Sequence, residues 1–147
     1  MAERSDVLTF TTEPLSETLV FVGRPQLVAR IQYESDTAHF LAKLQDVHAD
    51  GTTGPISWSA VVLDKRTGPD VRILLDDNAY CIRAGHRLQV QLQSSNWPHF
   101  AVHPGTDENP WFAKEKVQVK NSIEIGGIDG VRLIIPKYTI EQACPRL

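Results

Sequence analysis

Histidine and carboxylate side chains recur at regular intervals in one segment of the chain. His99, His103 and Asp107 follow one another every four residues. On a helix this spacing would bring three metal ligands to one face, and a histidine beside a carboxylate also suits proton transfer. Three prolines and a glycine within residues 98–110 oppose a helix. The three side chains are therefore candidate catalytic residues on a loop, and the spacing alone does not predict a metal site.

The same segment is rich in aromatic side chains. Trp97, Phe100, Trp111 and Phe112 lie within it. Aromatic groups on a loop form walls of small-molecule pockets, stacking platforms for sugars or contacts with other proteins, and they also close the open end of a β-sandwich. We take these four residues, together with Trp58 in an earlier strand, as candidate ligand-binding residues.

Two further polar groups occur at predicted strand ends. Asp46, His48 and Asp50 form an Asp-x-His-x-Asp pattern, in which calcium or zinc binding competes with a turn carrying solvated carboxylates. The loose spacing favours the turn. His86 begins a strand, where a catalytic role competes with a hydrogen bond at the end of the turn.

Motifs of several enzyme classes are absent from the sequence. It contains no Gly-x-Ser-x-Gly nucleophile elbow, no phosphate-binding glycine loop, no His-Glu-x-x-His and no paired Cys-x-x-Cys. Cys81 and Cys144 are too few for a disulfide framework and are interpreted as reduced thiols. We predict neither a metal nor a cofactor.

Length and charge limit the remaining possibilities. A chain of 147 residues suits a single domain, residues 1–147, with tails at 1–5 and 137–147. A net charge of −3 provides no basic field for nucleic acid. No apolar run is long enough to span a membrane, and the first residues do not resemble a signal peptide, so we expect a cytoplasmic protein.

Alternation of apolar and polar residues predicts the elements that position these side chains. Residues 87–94 alternate without a break, which indicates a strand with one dry face and one polar face. The same pattern appears at 27–34, at 40–47, where Phe40, Ala42 and Leu44 share a face, and at 56–63, where Ile56, Trp58, Ala60 and Val62 share another. Further strands are predicted at 7–12, 17–22, 71–75, 116–125 and 131–135.

Turn residues separate these strands, and helical periodicity is limited to a single turn at 140–144. Eight or nine short strands with such spacing predict an all-β fold, an antiparallel β-sandwich.

Short segments carry a resemblance to one protein family. In chain order they include FLAKLQDV at 40–47, AGHRL at 84–88, SSNWPHF at 94–100 and VRLIIP at 131–136. With these segments in this order, the sequence resembles the C-terminal domain of X-Pro dipeptidyl-peptidases, cocaine esterase and α-amino-acid ester hydrolases. The sequence departs from the family pattern after Phe100, where His103-Pro104-Gly105-Thr106-Asp107 replaces a usual Asn-Pro-x-Thr-Gly.

The resemblance implies a jelly-roll sandwich of the galactose-binding-like type. It also implies that a Ser-Asp-His triad belongs to a preceding α/β-hydrolase domain, against which the jelly roll packs while it helps to wall the active-site cleft. Hydrolase activity would then arise only by association with that catalytic domain.

Three hypotheses about function remain open. The first is a free-standing or excised non-catalytic domain that serves ligand binding or assembly with a hydrolase. The second is a small independent enzyme, a cyclase or isomerase, with a pocket at the open end of the sandwich formed by residues 97–111. The third is a carbohydrate-binding module. The expected partners are a second copy of the chain or a hydrolase-type protein, and a small apolar ligand.

Overall fold

Ten strands and one short 3₁₀ turn form the part of the chain that the computed structural model describes, which is residue 4, residues 6–127 and residues 129–139. The strands are β1 (Val7–Thr11), β2 (Leu19–Gly23), β3 (Gln26–Tyr33), β4 (Thr37–Val47), β5 (Thr53–Asp64), β6 (Asp70–Leu74), β7 (Asn78–Ile82), β8 (Arg87–Gln93), β9 (Asn121–Ile123) and β10 (Arg132–Ile134). The 3₁₀ turn is Lys65–Thr67. Cys144 and the predicted helical turn at 140–144 lie outside the described residues.

The strands pair in antiparallel sheets. The first sheet has the order β1-β8-β4-β5, and the second has the order β10-β3-β6, with β9 also pairing with β3. Strands β2 and β7 form a two-stranded sheet. The predicted antiparallel β-sandwich is confirmed, whereas its jelly-roll and galactose-binding-like character stays a prediction. No helix among the described residues is long and apolar enough to cross a membrane.

The core lies between the first and second sheets. Alternate side chains of β4 and β8 meet those of β3 and β6 in one buried cluster, to which Phe40, Leu44, Val90, Leu27 and Ile73 belong. Each such fully buried side chain contributes about 1.5–3 kcal/mol relative to an exposed one. The two faces of β4 are therefore distinct, with Phe40, Ala42 and Leu44 inside and the intervening residues outside.

Strand β5 differs from the prediction for its faces. Ile56 is buried in the core, but Trp58, Ala60 and Val62 lie opposite outward residues of β4, and Val62 is 63% exposed. The cause is a β-bulge between Leu44 and Gln45 that shifts the register of β5. Leu63, not Val62, supplies the core contact at that end of the strand.

The strand predicted at 116–125 is also shorter than expected. Only Asn121–Ile123 pairs as a strand. The amide of Val117 donates instead to the Pro104 carbonyl at 2.7 Å, and the amide of Lys120 donates to Glu34 Oε2 at 3.1 Å. These backbone groups are used in loop contacts and are not available to a sheet ladder.

Candidate functional site

The long connection between β8 and β9, residues 94–120, covers part of the outer face of the first sheet. Leu41 points to that face from β4 and lies outside the core cluster, yet it is only 1% exposed. The connection, named here the β8–β9 loop, contacts the neighbouring outward residues His39 and Lys43 of the same strand. The sequence placed this loop at the open end of the sandwich, whereas it lies across the sheet.

Backbone contacts fix the shape of the β8–β9 loop. The Phe100 amide donates to the Asn96 carbonyl at 3.1 Å, and the Val117 amide closes the loop on Pro104. Gly105 adopts a φ of +82°, and a Cβ at this position would lie 2.1 Å from the Val117 carbonyl oxygen. Only glycine fits there, because both the backbone conformation and the space exclude a side chain.

A cavity of about 220 Å³ opens beside this loop, with Trp58, Asn96 and His99 among its lining residues. The Trp58 ring lies 5.9 Å from the ring of His99 and 5.4 Å from that of Phe100. The Lys43 ammonium donates to Asn96 Oδ1 at 2.8 Å, and burial lowers the pKa of Lys43. The structure therefore brings together Trp58, His99 and Phe100 among the predicted site residues.

The other predicted aromatic residues are exposed. Trp97 is 65% exposed, Trp111 71% and Phe112 80%. Trp111 and Phe112 follow a turn in which Asn109 Oδ1 accepts a hydrogen bond from the Trp111 amide at 3.0 Å. This turn presents both aromatic rings to solvent. The ring contacts found among the described residues do not include these three. Their role in ligand binding stays a prediction, and their exposure suits contact with another molecule.

His103 has both ring nitrogens engaged. Its Nδ1 accepts from the Gly105 amide at 3.1 Å, so we infer that Nε2 carries the hydrogen and donates to Thr37 Oγ1 at 3.0 Å. The His39 ring packs edge-on against the His103 ring at 4.8 Å. Burial lowers the pKa of His103, and the charge of Asp107 acts in the opposite direction.

Asp107 is exposed and lies near the ion pair of Lys65 with Asp36. Within the described part of the chain, no direct hydrogen bond or ion pair between Asp107 and His103 is found. The proposed proton transfer between them stays a prediction, without a direct contact in its favour. His99, the third candidate, lies apart from them beside Trp58.

Two histidines, His39 beneath this loop and His103 within it, should make stability depend on pH. Burial lowers the pKa of both His39 and His103 from the ordinary value of 6.5. The folded chain then binds protons more weakly than the unfolded chain. The free energy of unfolding should therefore be highest above pH 6.5 and should fall as the pH drops through that value. Urea unfolding on both sides of pH 6.5 measures the change.

Two glutamine variants separate this effect from general acid sensitivity. His103→Gln should reduce the loss of stability on acidification. His99→Gln, which removes an exposed histidine, should retain it. An identical pH dependence in His103→Gln and in the unaltered chain would count against the assignment.

Asp46 is buried, which corrects the interpretation of its pattern as a turn with solvated carboxylates. Its side chain is 3% exposed. It accepts from His86 Nδ1 at 2.9 Å and from the Tyr80 hydroxyl at 3.3 Å. Burial, and next the charge of Asp46, raise the pKa of Tyr80. His86 also makes the predicted contact at the end of a turn, since its amide donates to the Arg83 carbonyl at 3.1 Å.

The two other members of the Asp-x-His-x-Asp pattern diverge. Asp50 caps the β4–β5 turn by accepting from the Thr52 amide at 2.9 Å. His48 turns back instead, so that its Nε2 lies 3.7 Å from Asp46 Oδ2. Asp46 and His86 were interpreted as separate groups, and the contact between them was missed. The signal that could have joined them is the two-residue period of β4 and β8.

The fold and these residues define a β-sandwich domain with a long aromatic loop laid across one sheet. The chain belongs to the family of X-Pro dipeptidyl-peptidase C-terminal non-catalytic domains, whose sequence profile matches residues 1–124. No curated protein matches the chain in sequence.

Solved hydrolase structures share the fold. An α-amino acid ester hydrolase superposes with a TM-score of 0.83 at 24% identity, over 92% of this chain and 26% of the hydrolase. An aminopeptidase from a marine sediment archaeon, Thaumarchaeota archaeon, gives 0.84 at 25% identity, over 94% and 27%. A CocE/NonD family hydrolase from Staphylococcus aureus gives 0.63 at 16% identity, over 90% and 30%. The chain thus corresponds to 26–30% of each of these longer proteins.

Proposed function

We propose that this chain is the accessory domain of a serine hydrolase acting on esters or peptides, and that it packs against the catalytic domain. One observation carries the proposal: the domain forms only 26–30% of hydrolase chains in the solved structures that it matches. The family resemblance assigns the Ser-Asp-His triad to a separate α/β-hydrolase domain. In this assembly the partner supplies the nucleophile, and the present chain supplies a wall of the cleft.

The surface that we assign to this contact is the outer face of β5. This strand lies at the edge of the first sheet, and Trp58, Ala60 and Val62 follow one another along its outer face. Trp58 is 37% exposed and Val62 is 63% exposed. Edge strands of soluble domains usually carry charges on such a face, and an apolar one favours coverage by a partner.

The β8–β9 loop extends this face. Trp97 follows Asn96, which is hydrogen-bonded to the outward side chain of Lys43, and it exposes its indole ring to solvent. Exposed tryptophans are enriched at the centres of protein interfaces, because they bury a large area at little entropic cost. The loop would therefore meet the catalytic domain next to β5.

The cavity beside Trp58 is small for a complete substrate site. Its volume of about 220 Å³ is below the roughly 300–1,000 Å³ of typical small-molecule sites. A site for substrate would need a second wall, which the catalytic domain provides in the proposed assembly. A cytoplasmic location, where thiols stay reduced, suits the exposed free thiol of Cys81.

Sedimentation velocity tests the proposal. The partner is the α/β-hydrolase domain encoded in the same reading frame or in the neighbouring gene. We expect the chain and that domain to sediment together as a complex of one copy each. Two separate species, or a homodimer of the chain that persists when the catalytic domain is added, would contradict the proposal.

A charge on the outer face of β5 should disrupt the complex. Val62→Glu places a carboxylate where a partner would bury it unpaired, so we expect the affinity to fall by roughly 10–100-fold. The matched control is Leu74→Glu on the outer face of β6, since Leu74 is also exposed, at 44%, but lies on the other sheet. Titration calorimetry with the catalytic domain measures both variants. Equal losses in the two variants would argue against β5 as the contact surface.

A further inference from the structure

Three potential metal ligands converge where β4, the β4–β5 turn and the start of β8 meet. A carboxylate oxygen of Asp46 and one ring nitrogen from each of His48 and His86 all lie within 4.8 Å of one another. We propose that these three side chains bind a transition-metal dication of the zinc type. Imidazole nitrogens with one carboxylate suit Zn²⁺, and three protein ligands leave a fourth position for water.

The separations between the ligand atoms fit such an ion. Zn²⁺ binds nitrogen and oxygen at about 2.0–2.2 Å, so tetrahedral ligand atoms lie about 3.3–3.6 Å apart. A single oxygen of the carboxylate, Asp46 Oδ2, lies 3.1 Å from His86 Nδ1 and 3.7 Å from His48 Nε2. These two distances bracket the required range, so small side-chain rotations suffice. His86, which now donates to Asp46 through Nδ1, would carry its hydrogen on Nε2 when Nδ1 binds metal.

Thr52 determines which ring nitrogen of His48 carries the hydrogen, and therefore which nitrogen offers its lone pair. The Thr52 hydroxyl donates to Asp50 Oδ1 at 2.7 Å, and a hydroxyl has one hydrogen to donate. In the 3.2 Å contact between Thr52 Oγ1 and His48 Nδ1, the ring N–H must therefore be the donor. In the tautomer with this hydrogen on Nδ1, the Nε2 lone pair of the ring faces the Asp46 carboxylate. A cation between the two removes this repulsion, and Thr52 acts as the outer hydrogen-bond partner typical of a metal-bound histidine.

The charge of Asp46 also favours a cation. Its side chain is 3% exposed, and in the described part of the chain the basic side chains within ion-pair distance of it are His48 and His86, with no lysine or arginine among them. A buried carboxylate is costly unless it is paired with a positive charge or coordinates a metal. A dication would neutralise this carboxylate directly.

The site is open to an ion from solvent. The His48 side chain is 41% exposed and that of His86 19%. Gly54 lies opposite Asp46 in β5, and a Cβ there would come within 3.5 Å of His48 Nε2 and 3.6 Å of the Tyr80 hydroxyl. The missing side chain leaves the space around the ligand nitrogen free.

Metal titration of the isolated chain tests the proposal without any partner protein. After removal of metal with a chelator, one equivalent of ZnCl₂ should bind. At a free concentration about a hundred times the dissociation constant, it should raise the melting temperature by roughly 5–10 °C. CoCl₂ should produce the visible absorption of a site with nitrogen ligands, and MgCl₂ should do neither, because it prefers oxygen ligands. Absence of zinc binding, or an equal response to MgCl₂, would overturn the proposal.

Variants locate the ion. His48→Gln alters a half-exposed side chain, so the fold should persist, as circular dichroism will verify, while zinc affinity should fall by roughly 100-fold or more. Thr52→Val should weaken binding by roughly 10–100-fold through the outer hydrogen bond. Gly54→Ala should weaken it by placing a methyl group beside Nε2. His99→Gln, an exposed histidine elsewhere, should bind as the unaltered chain does. If His48→Gln retains full affinity, the assignment is wrong.

Discussion

Leu44→Ala should lower the free energy of unfolding by about 2–5 kcal/mol. Leu44 is 1% exposed and lies in the core cluster, in the strand between β5 and β8. The loss combines the transfer free energy of the removed methyl groups with the cost of the cavity that remains. Since domains are stable by only about 5–15 kcal/mol, the variant should unfold at clearly lower urea concentration.

Leu74→Ala is the matched control. It removes the same atoms from a side chain that is 44% exposed on the outer face of β6, so it should change the free energy of unfolding by less than about 1 kcal/mol. Urea unfolding followed by tryptophan fluorescence compares the two. Equal destabilisation would mean that Leu44 does not contribute to the core as described.

Asp46→Ala should lower the free energy of unfolding by about 2–3 kcal/mol. The substitution leaves the His86 N–H and the Tyr80 hydroxyl without their acceptor at the end of the core. A chelator in the buffer removes any bound metal, so that the change in the free energy of unfolding reflects the loss of the hydrogen bonds to Asp46 alone. Thermal and urea unfolding both give the change.

Asp50→Ala is the matched control, because Asp50 is an exposed carboxylate in the β4–β5 turn whereas Asp46 is buried in β4. Asp50 is exposed and accepts two hydrogen bonds from Thr52, so its loss should cost about 1 kcal/mol or less. If Asp46→Ala costs no more than Asp50→Ala, the buried network does not stabilise the fold in the way proposed here.

Most of the strands could be predicted from the sequence, because alternation is a local signal. Leu88, Val90 and Leu92 occupy every second position of β8, and all three are buried as their spacing predicts. The assignment of faces failed where the signal was not local. The bulge at Ile56, opposite Leu44 and Gln45, moves Trp58 and Val62 to the outside, and it depends on the pairing of two strands rather than on the composition of either.

The contact between Asp46 and His86 could have been predicted from the sequence. Two residues beyond Leu44 the inner face of β4 reaches Asp46, and two residues before Leu88 the inner face of β8 reaches His86. Asp46 was assigned to a turn because the Asp-x-His-x-Asp spacing is loose, and His86 because it follows Ala84-Gly85 at the start of a strand. The position of the β8–β9 loop could not have been predicted from the sequence, because its contacts with His39 and Lys43 join segments that are distant along the chain.

Hydrogen–deuterium exchange of the chain, alone and mixed with its catalytic hydrolase domain, tests most directly whether the outer face of β5 is the docking surface. We expect slower exchange in the complex at the amides of β5 and of residues 96–104, with β3, β6 and β10 unchanged. Protection confined to β3, β6 and β10, or no protection anywhere at saturating catalytic domain, would contradict it.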